Sequence, residues 1–161
     1  MTEVPISLYE LPDRASDGIS DLAFSNEDFL LAASWDGSVR LYNVDEKTMV
    51  HAWTMDNAVP VLSCAWVGND VGVSGSVDGS VCLLRRGDSS LTRLGSHGAG
   101  VRRVSTSQRE STIYSGSWDR SVGVWDPRCH RRVDSITSLD GKVFAMCLSE
   151  SSTRPSLLLV G

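Results

Sequence analysis

The chain has 161 residues, which by length alone suggests one domain, and its hydrophobic content of 41% is ordinary for a globular protein. A net charge of −5 argues against the broad basic face that duplex nucleic acid or an anionic membrane would need. Met1-Thr2-Glu3-Val4-Pro5 has no basic start with an apolar stretch behind it, so no secretory signal is expected, and runs such as Leu157-Leu158-Leu159-Val160 are too short to span a bilayer.

In chain order, the first alternating run covers 19–24 and predicts a strand. A second strand is expected at 29–34, a third at 39–44 and a weaker fourth at 49–54. The same four-part unit returns at 61–67, 71–76, 81–84 and 91–94, and again at 101–105, 113–117, 122–125 and 132–136. A fourth unit opens at Gly141-Lys142-Val143 with a strand through Leu148, and 157–160 reads as its second strand. Apolar residues at helical spacing never persist over a helix-length window, so no helix is expected and the chain reads as all-β antiparallel meanders.

Each unit pivots on one string. Ser34-Trp35-Asp36-Gly37-Ser38-Val39 returns as Ser76-Val77-Asp78-Gly79-Ser80-Val81 and as Ser117-Trp118-Asp119-Arg120-Ser121-Val122. The aspartates lie 42 and 41 residues apart, the period of one four-stranded propeller blade. Asp-Gly predicts a type I′ hairpin turn, since both central residues tolerate positive φ. Arg120 in place of glycine predicts a different turn in the third copy. Asp36, Asp78 and Asp119 are read as turn caps that accept backbone N–H bonds.

At these residues the chain resembles the WD-repeat family. The third copy carries the fuller signature, with His97 ahead of the first strand and Val124-Trp125-Asp126 ending the third. His97, Ser115, Asp119 and Trp125 match the family's blade-stabilising polar tetrad, whose members satisfy one another under the turn. Tyr42-Asn43 and Leu84-Arg85 stand where Trp-Asp would, so the first two blades are expected to lack it. A narrower resemblance is to spindle-assembly-checkpoint propellers of the budding-uninhibited-by-benzimidazoles family. It is carried by Asp17-Gly18-Ile19-Ser20, the first anchor through Arg40-Leu41-Tyr42, Gly116-Ser117-Trp118-Asp119, and Trp125-Asp126-Pro127-Arg128, in register from about Ile6 to Gly161.

The resemblance implies a WD-repeat β-propeller of about seven blades, needing on the order of 300 residues. About three and a half are expected here, as an N-terminal part. Ile6-Ser7-Leu8 would be a closing strand, with blades at about 17–56, 57–97 and 98–138 and an incomplete fourth at 139–161.

It also implies a non-catalytic adaptor. Turns after the second strand share one end of the blade, so Trp35, Val77 and Trp118 fall on one face, with the two indoles matching positions that hold a short peptide motif of checkpoint kinases. The bland alternative is that these indoles pack on neighbouring loops. A phosphorylated kinetochore-scaffold motif would be read by later blades, beyond Gly161. The implied setting is the nucleus and kinetochore with a cytoplasmic pool. The alternatives are a nuclear-pore messenger-RNA export adaptor and a truncated fragment without function. Arg85-Arg86, Arg102-Arg103, Arg128 and Arg131-Arg132 read as solvated loop residues.

No nucleophile elbow, Walker loop or His-Glu-x-x-His string occurs, and neither catalysis nor a metal or cofactor is expected. Cys64, Cys82, Cys129 and Cys147 show no C-x-x-C spacing, and three lie in apolar strand-like runs, so buried reduced thiols are expected. Ser149, Ser151, Ser152 and Thr153 read as a loop with acceptors for phosphorylation.

Overall fold

The structure, a computed structural model, describes residues 10–149 and 157–161. The expected closing strand at Ile6-Ser7-Leu8 and the loop serines 151 and 152 with Thr153 lie outside the described residues.

Three four-stranded antiparallel sheets form in chain order. The first holds β1 (Ile19–Phe24), β2 (Phe29–Ser34), β3 (Ser38–Asn43) and β4 (Thr48–Thr54). The second holds β5 (Val61–Val67), β6 (Val71–Ser76), β7 (Ser80–Arg85) and β8 (Leu91–Ser96). The third holds β9 (Val101–Ser107), β10 (Thr112–Ser117), β11 (Val122–Asp126) and β12 (Arg131–Ile136). β13 (Met146–Ser149) pairs with β14 (Leu157–Val160) as half of a fourth. One short 3-10 turn, Asp56–Ala58, links the first sheet to the second.

Position in the sheet explains strand composition. β2 and β6 are buried along nearly their whole length, and they read as unbroken runs of apolar and small residues, as strands packed on both faces must. β4 and β12 alternate between half-buried and exposed because one face meets solvent. The sheets stack face to face. Leu31, Leu41 and Trp53 of the first meet Val61, Cys64, Trp66 and Leu84 of the second. Val73, Val81 and Leu83 of the second meet Val101, Val104, Ile113 and Trp125 of the third. Each such side chain contributes about 1.5–3 kcal/mol when fully removed from water.

One repeated contact sets the distance between sheets. A Cβ on Gly116 would lie 2.4 Å from Val143 Cγ1 of the next unit. Val143 is buried with Val122 and Met146, and its N–H donates to Ser117 O at 3.1 Å. This tie corrects one expectation: the strand predicted from Gly141-Lys142-Val143 begins only at Met146, because Val143 is held by the third sheet's turn.

The anchor turns also depart from expectation. Gly37 and Gly79 have φ of +82° and +87°, but Asp36 and Asp78 are not left-handed, so this is not a type I′ turn. Gly37 N donates to Ser34 O at 3.3 Å, closing a four-residue turn that ends on a left-handed residue, the usual three-residue hairpin loop. The carboxylate explains the choice, since Asp36 Oδ1 accepts from Ser38 N at 3.0 Å, two residues on. Arg120 does not change the turn as predicted: it takes φ of +66° and donates to Ser117 O at 3.2 Å like its glycine counterparts. Glycine is stringent in the first copy because a Cβ on Gly37 would meet the Ala58 backbone at 2.4 Å.

All four cysteines are free; Cys64 and Cys82 are buried, whereas Cys129 and, against expectation, Cys147 are exposed. Cys147 alternates outward beside buried Met146 on β13. Burial pushes the Cys82 thiol up to about 11 and Cys64 higher still.

Candidate functional site

The anchor turns and the links between sheets share one end of the molecule and are tied together. Trp35 N donates to Gly18 O at 2.9 Å, Val77 N to Pro60 O at 3.0 Å and Trp118 N to Gly100 O at 2.9 Å. These bonds place three equivalent side chains on one rim.

Trp35 is 46% exposed. Trp118 is half-buried: its six-membered ring lies over Gly100, where a Cβ would come within 2.7 Å, and it tilts against exposed Phe144 with centroids 6.4 Å apart. Between the indoles is a cleft of about 250 Å³ lined by Ile19, Ser20, Trp35, Leu62, Arg102 and Trp118. Val77 is half-buried in its turn and is not among the lining residues.

Sequence reasoning missed Ile19, Ser20 and Leu62 as lining residues and placed Arg102 in a solvated loop. A signal existed. Ser20 and Leu62 each precede their anchor aspartate by sixteen residues and Arg102 by seventeen, so one blade position recurs. The other arginines are also more engaged than a solvated loop implies. Arg103 donates to Asp21 at 2.8 Å, and that carboxylate also accepts from Ser63 Oγ at 2.7 Å, joining the inner strands of three sheets. Arg86 bridges Asp70 and Glu27 and lies over the Phe29 ring.

Beneath the third turn lies a polar network. Trp125 Nε1 donates to Ser115 Oγ at 2.6 Å. Ser115 in turn pairs with His97 Nε2 at 2.7 Å, and His97 Nδ1 lies 2.9 Å from Ser121 Oγ and 3.2 Å from Asp119 Oδ2. Indole N–H can only donate, so Ser115 Oγ accepts from Trp125, and its hydrogen or its second lone pair faces His97 Nε2. Burial first, then Arg132, hold the imidazole's pKa below the ordinary histidine value against the pull of Asp119, and so favour the neutral ring. Burial pushes the Asp119 carboxyl up, but hydrogen bonds from Ser121 and Gly98 N outweigh it and leave it low.

The first two blades lack this network. In the first, Asp36 accepts from Ser16 N at 2.9 Å, from Ser38 and from Arg40 at 3.0 Å, so Arg40 supplies the partner that histidine gives elsewhere. Burial pushes that carboxyl up, yet these bonds hold it well below the usual range. In the second, Asp78 accepts from Ser80, while buried Ser74 Oγ and Ser76 Oγ have no partner. Among the described residues no group of three or more His, Cys, Asp or Glu could hold a metal, and no helix is long and apolar enough to cross a membrane.

The WD domain, G-beta repeat family matches residues 7–43 and 88–126. The chain is 34% identical over 152 residues to the spindle assembly checkpoint protein bub3 of Schizosaccharomyces pombe, covering 92% of this chain and 45% of that protein. It is 33% identical over 143 residues to a poly(A)+ RNA export protein of the same yeast, covering 85% of this chain and 40% of that one. The chain thus spans about half the length of the curated relatives it matches. The crystal structure of the computationally designed Ika4 protein superposes with a TM-score of 0.78 at 18% identity, over 97% of this chain and 98% of that one, a likeness of fold alone.

Proposed function

Because the chain belongs to the WD-repeat family of mitotic checkpoint proteins called Bub3, we propose that it is the recognition rim of a non-catalytic checkpoint adaptor that holds a short peptide segment of a partner. The partners on this reading are checkpoint kinase-type proteins, and the setting is the nucleus and the kinetochore. The observation that carries it is the pair of indoles, Trp35 and Trp118, on either side of a cleft of about 250 Å³ at the turn end. Tryptophan is enriched at binding hot spots because it buries large area at low entropic cost and keeps one polar handle. Val77 contributes to the rim rather than to the cleft. Asp36, Asp78, His97, Ser115, Asp119 and Trp125 hold the turns in place and touch no ligand.

The test is fluorescence polarisation with overlapping synthetic peptides that tile candidate checkpoint-kinase partners. Truncating a hot-spot tryptophan costs about 2 kcal/mol or more, so Trp118→Ala and Trp35→Ala should each weaken binding on the order of thirtyfold. A tight peptide whose affinity survives both substitutions overturns the proposed site. The RNA-export relative favours a second reading, an export adaptor with the same rim and different partners. Tight binding of nuclear-pore peptides with none from checkpoint kinases selects it.

A further inference from the structure

One five-residue string occurs twice in the chain, both times outside the cleft. Arg85-Arg86-Gly87-Asp88-Ser89 and Arg131-Arg132-Val133-Asp134-Ser135 share two arginines, an aspartate and a final serine in the same order. A serine with one arginine three residues ahead and a second beside that one carries a charge pattern that basophilic kinases read with their own carboxylates. In the structure the first copy leaves β7 as a loop, and the second lies wholly within β12.

The loop copy is open to a kinase. It joins β7 to β8 at the end of the second blade opposite the rim, and that blade has a complete blade on each side. Gly87, Asp88, Ser89 and Ser90 are all exposed, and a Cβ on Gly87 would meet nothing within 4 Å. Ser90 spends both its N–H and its hydroxyl on Asp88, each at 2.8 Å. The Ser89 hydroxyl has no hydrogen-bond partner among the described residues. Arg86 is held by Asp70 at 2.6 Å and by Glu27 at 3.2 Å, but those side chains are 71% and 47% exposed. Ion pairs to exposed carboxylates contribute little, so the guanidinium can exchange them for those of a kinase.

The strand copy has neither freedom. Ser135 is half-buried and paired with Gly123 of β11. Arg132, three residues ahead of it, lies 4.6 Å from the centroid of the Trp125 ring, with its Nε buried. Presenting that copy requires β12 to leave its sheet.

We propose that Ser89 is a phosphorylation site for a kinase that selects arginine three residues before its acceptor. In the transfer Ser89 Oγ bonds to the γ-phosphorus of ATP and the bond from that phosphorus to the β–γ bridging oxygen breaks. ADP leaves, and the hydroxyl proton goes to the kinase's catalytic base. The loop gains about two negative charges. Arg85 opens the same turn, where its carbonyl accepts from Asp88 N at 3.1 Å, and its guanidinium reaches His130 of the third blade at 3.3 Å. The charge is therefore added to a turn that already carries a basic bridge to the next blade, at the opposite end from the cleft.

The test incubates the folded full chain with ATP, magnesium and the catalytic domain of a basophilic kinase, and locates phosphate by tandem mass spectrometry over a time course. Synthetic peptides spanning each string give the rate without the fold. Both peptides should accept phosphate. On the folded chain Ser89 should react within about tenfold of its peptide, and Ser135 on the order of a hundredfold more slowly than its own, because loops open far more readily than paired strands. Ser89→Ala should remove the phosphate and Ser90→Ala should leave it. Arg86→Gln removes a charge-assisted contact with the kinase and should slow transfer on the order of tenfold or more, in the peptide and the folded chain alike. Slowing confined to the folded chain would make Arg86 a support of the loop and overturn its reading by the kinase. A Ser89 peptide that accepts nothing, a folded chain modified only at Ser90 or Ser135, or one left unmodified while its Ser89 peptide reacts overturns the site.

Discussion

The same substitution at two repeat-equivalent serines should have different costs. Ser115, on β10, is opposite Gly123, and Ser74, on β6, is opposite Cys82, the same place in successive blades. Both hydroxyls are fully buried. Ser115 accepts from Trp125 at 2.6 Å and pairs with His97 at 2.7 Å. Its removal leaves two buried polar groups unsatisfied at about 1–3 kcal/mol each, so Ser115→Ala should destabilise the chain by about 2–6 kcal/mol. Ser74 Oγ has no partner, because Leu84 and Met55 stand where blade three has Trp125 and His97: Met55 N donates to Gly37 O as His97 N does to Gly79 O, but a thioether side chain offers no donor. Its removal deletes a polar group that is already unpaid, so Ser74→Ala should be neutral or stabilise by up to about 1 kcal/mol. Urea unfolding of the full chain, followed by tryptophan fluorescence with midpoint and slope both fitted, measures each value. If Ser74→Ala proves as costly as Ser115→Ala, packing volume rather than hydrogen bonding sets the price of that position and the reasoning fails.

Stability should also fall in acid before the carboxylates titrate. His97 is held below its ordinary value, so the unfolded chain binds more protons below about pH 6.5, and stability is full above that pH and lost as pH drops through the depressed value. Asp119, also held low, adds a second loss below about pH 4. A urea midpoint that stays constant from pH 7.5 to pH 5 contradicts this. At the anchor turns, Gly37→Ala should cost about 2–5 kcal/mol, combining a left-handed φ of +82° with a Cβ 2.4 Å from the Ala58 backbone. Arg120→Gly relieves the same strain at φ of +66° and should be neutral or stabilise by up to about 1 kcal/mol. Equal urea midpoints for these two variants refute the strain argument.

The strands were legible because each carries a pattern that its burial demands. Phe29–Ser34 is a continuous apolar and small-residue run since both faces are packed, and Thr48–Thr54 alternates since one is wet. The repeat was legible because the anchor string recurs at nearly constant spacing. The start of β13 was not, since Val143 looks like a strand residue and only its contact with Gly116 shows it as a plug. Turn type was not either: Asp-Gly suits several loops, and the carboxylate's bond to Ser38 decides between them. The cleft was half legible. A tryptophan beside two of the turns announces a surface, but Ser20, Leu62 and Arg102 come together through bulges, and a bulge is a property of register between two strands, invisible in either one.

That division separates the two roles of the repeat. Residues that close a blade must agree with one another, as Trp125, Ser115, His97 and Asp119 do, so losing one strands the rest, as it has at Ser74. Residues on the bulge need agree with nothing in the ladder, because no strand partner faces them. Serine, leucine and arginine can therefore occupy one position in three blades without disturbing the sheets beneath. The scaffold is rigid where Asp21 gathers Ser63 and Arg103 from neighbouring sheets, directly beside the bulges it supports. A side chain such as Arg102 is thus free to vary in chemistry while fixed in place, which is the condition for a rim to change its ligand and keep its fold.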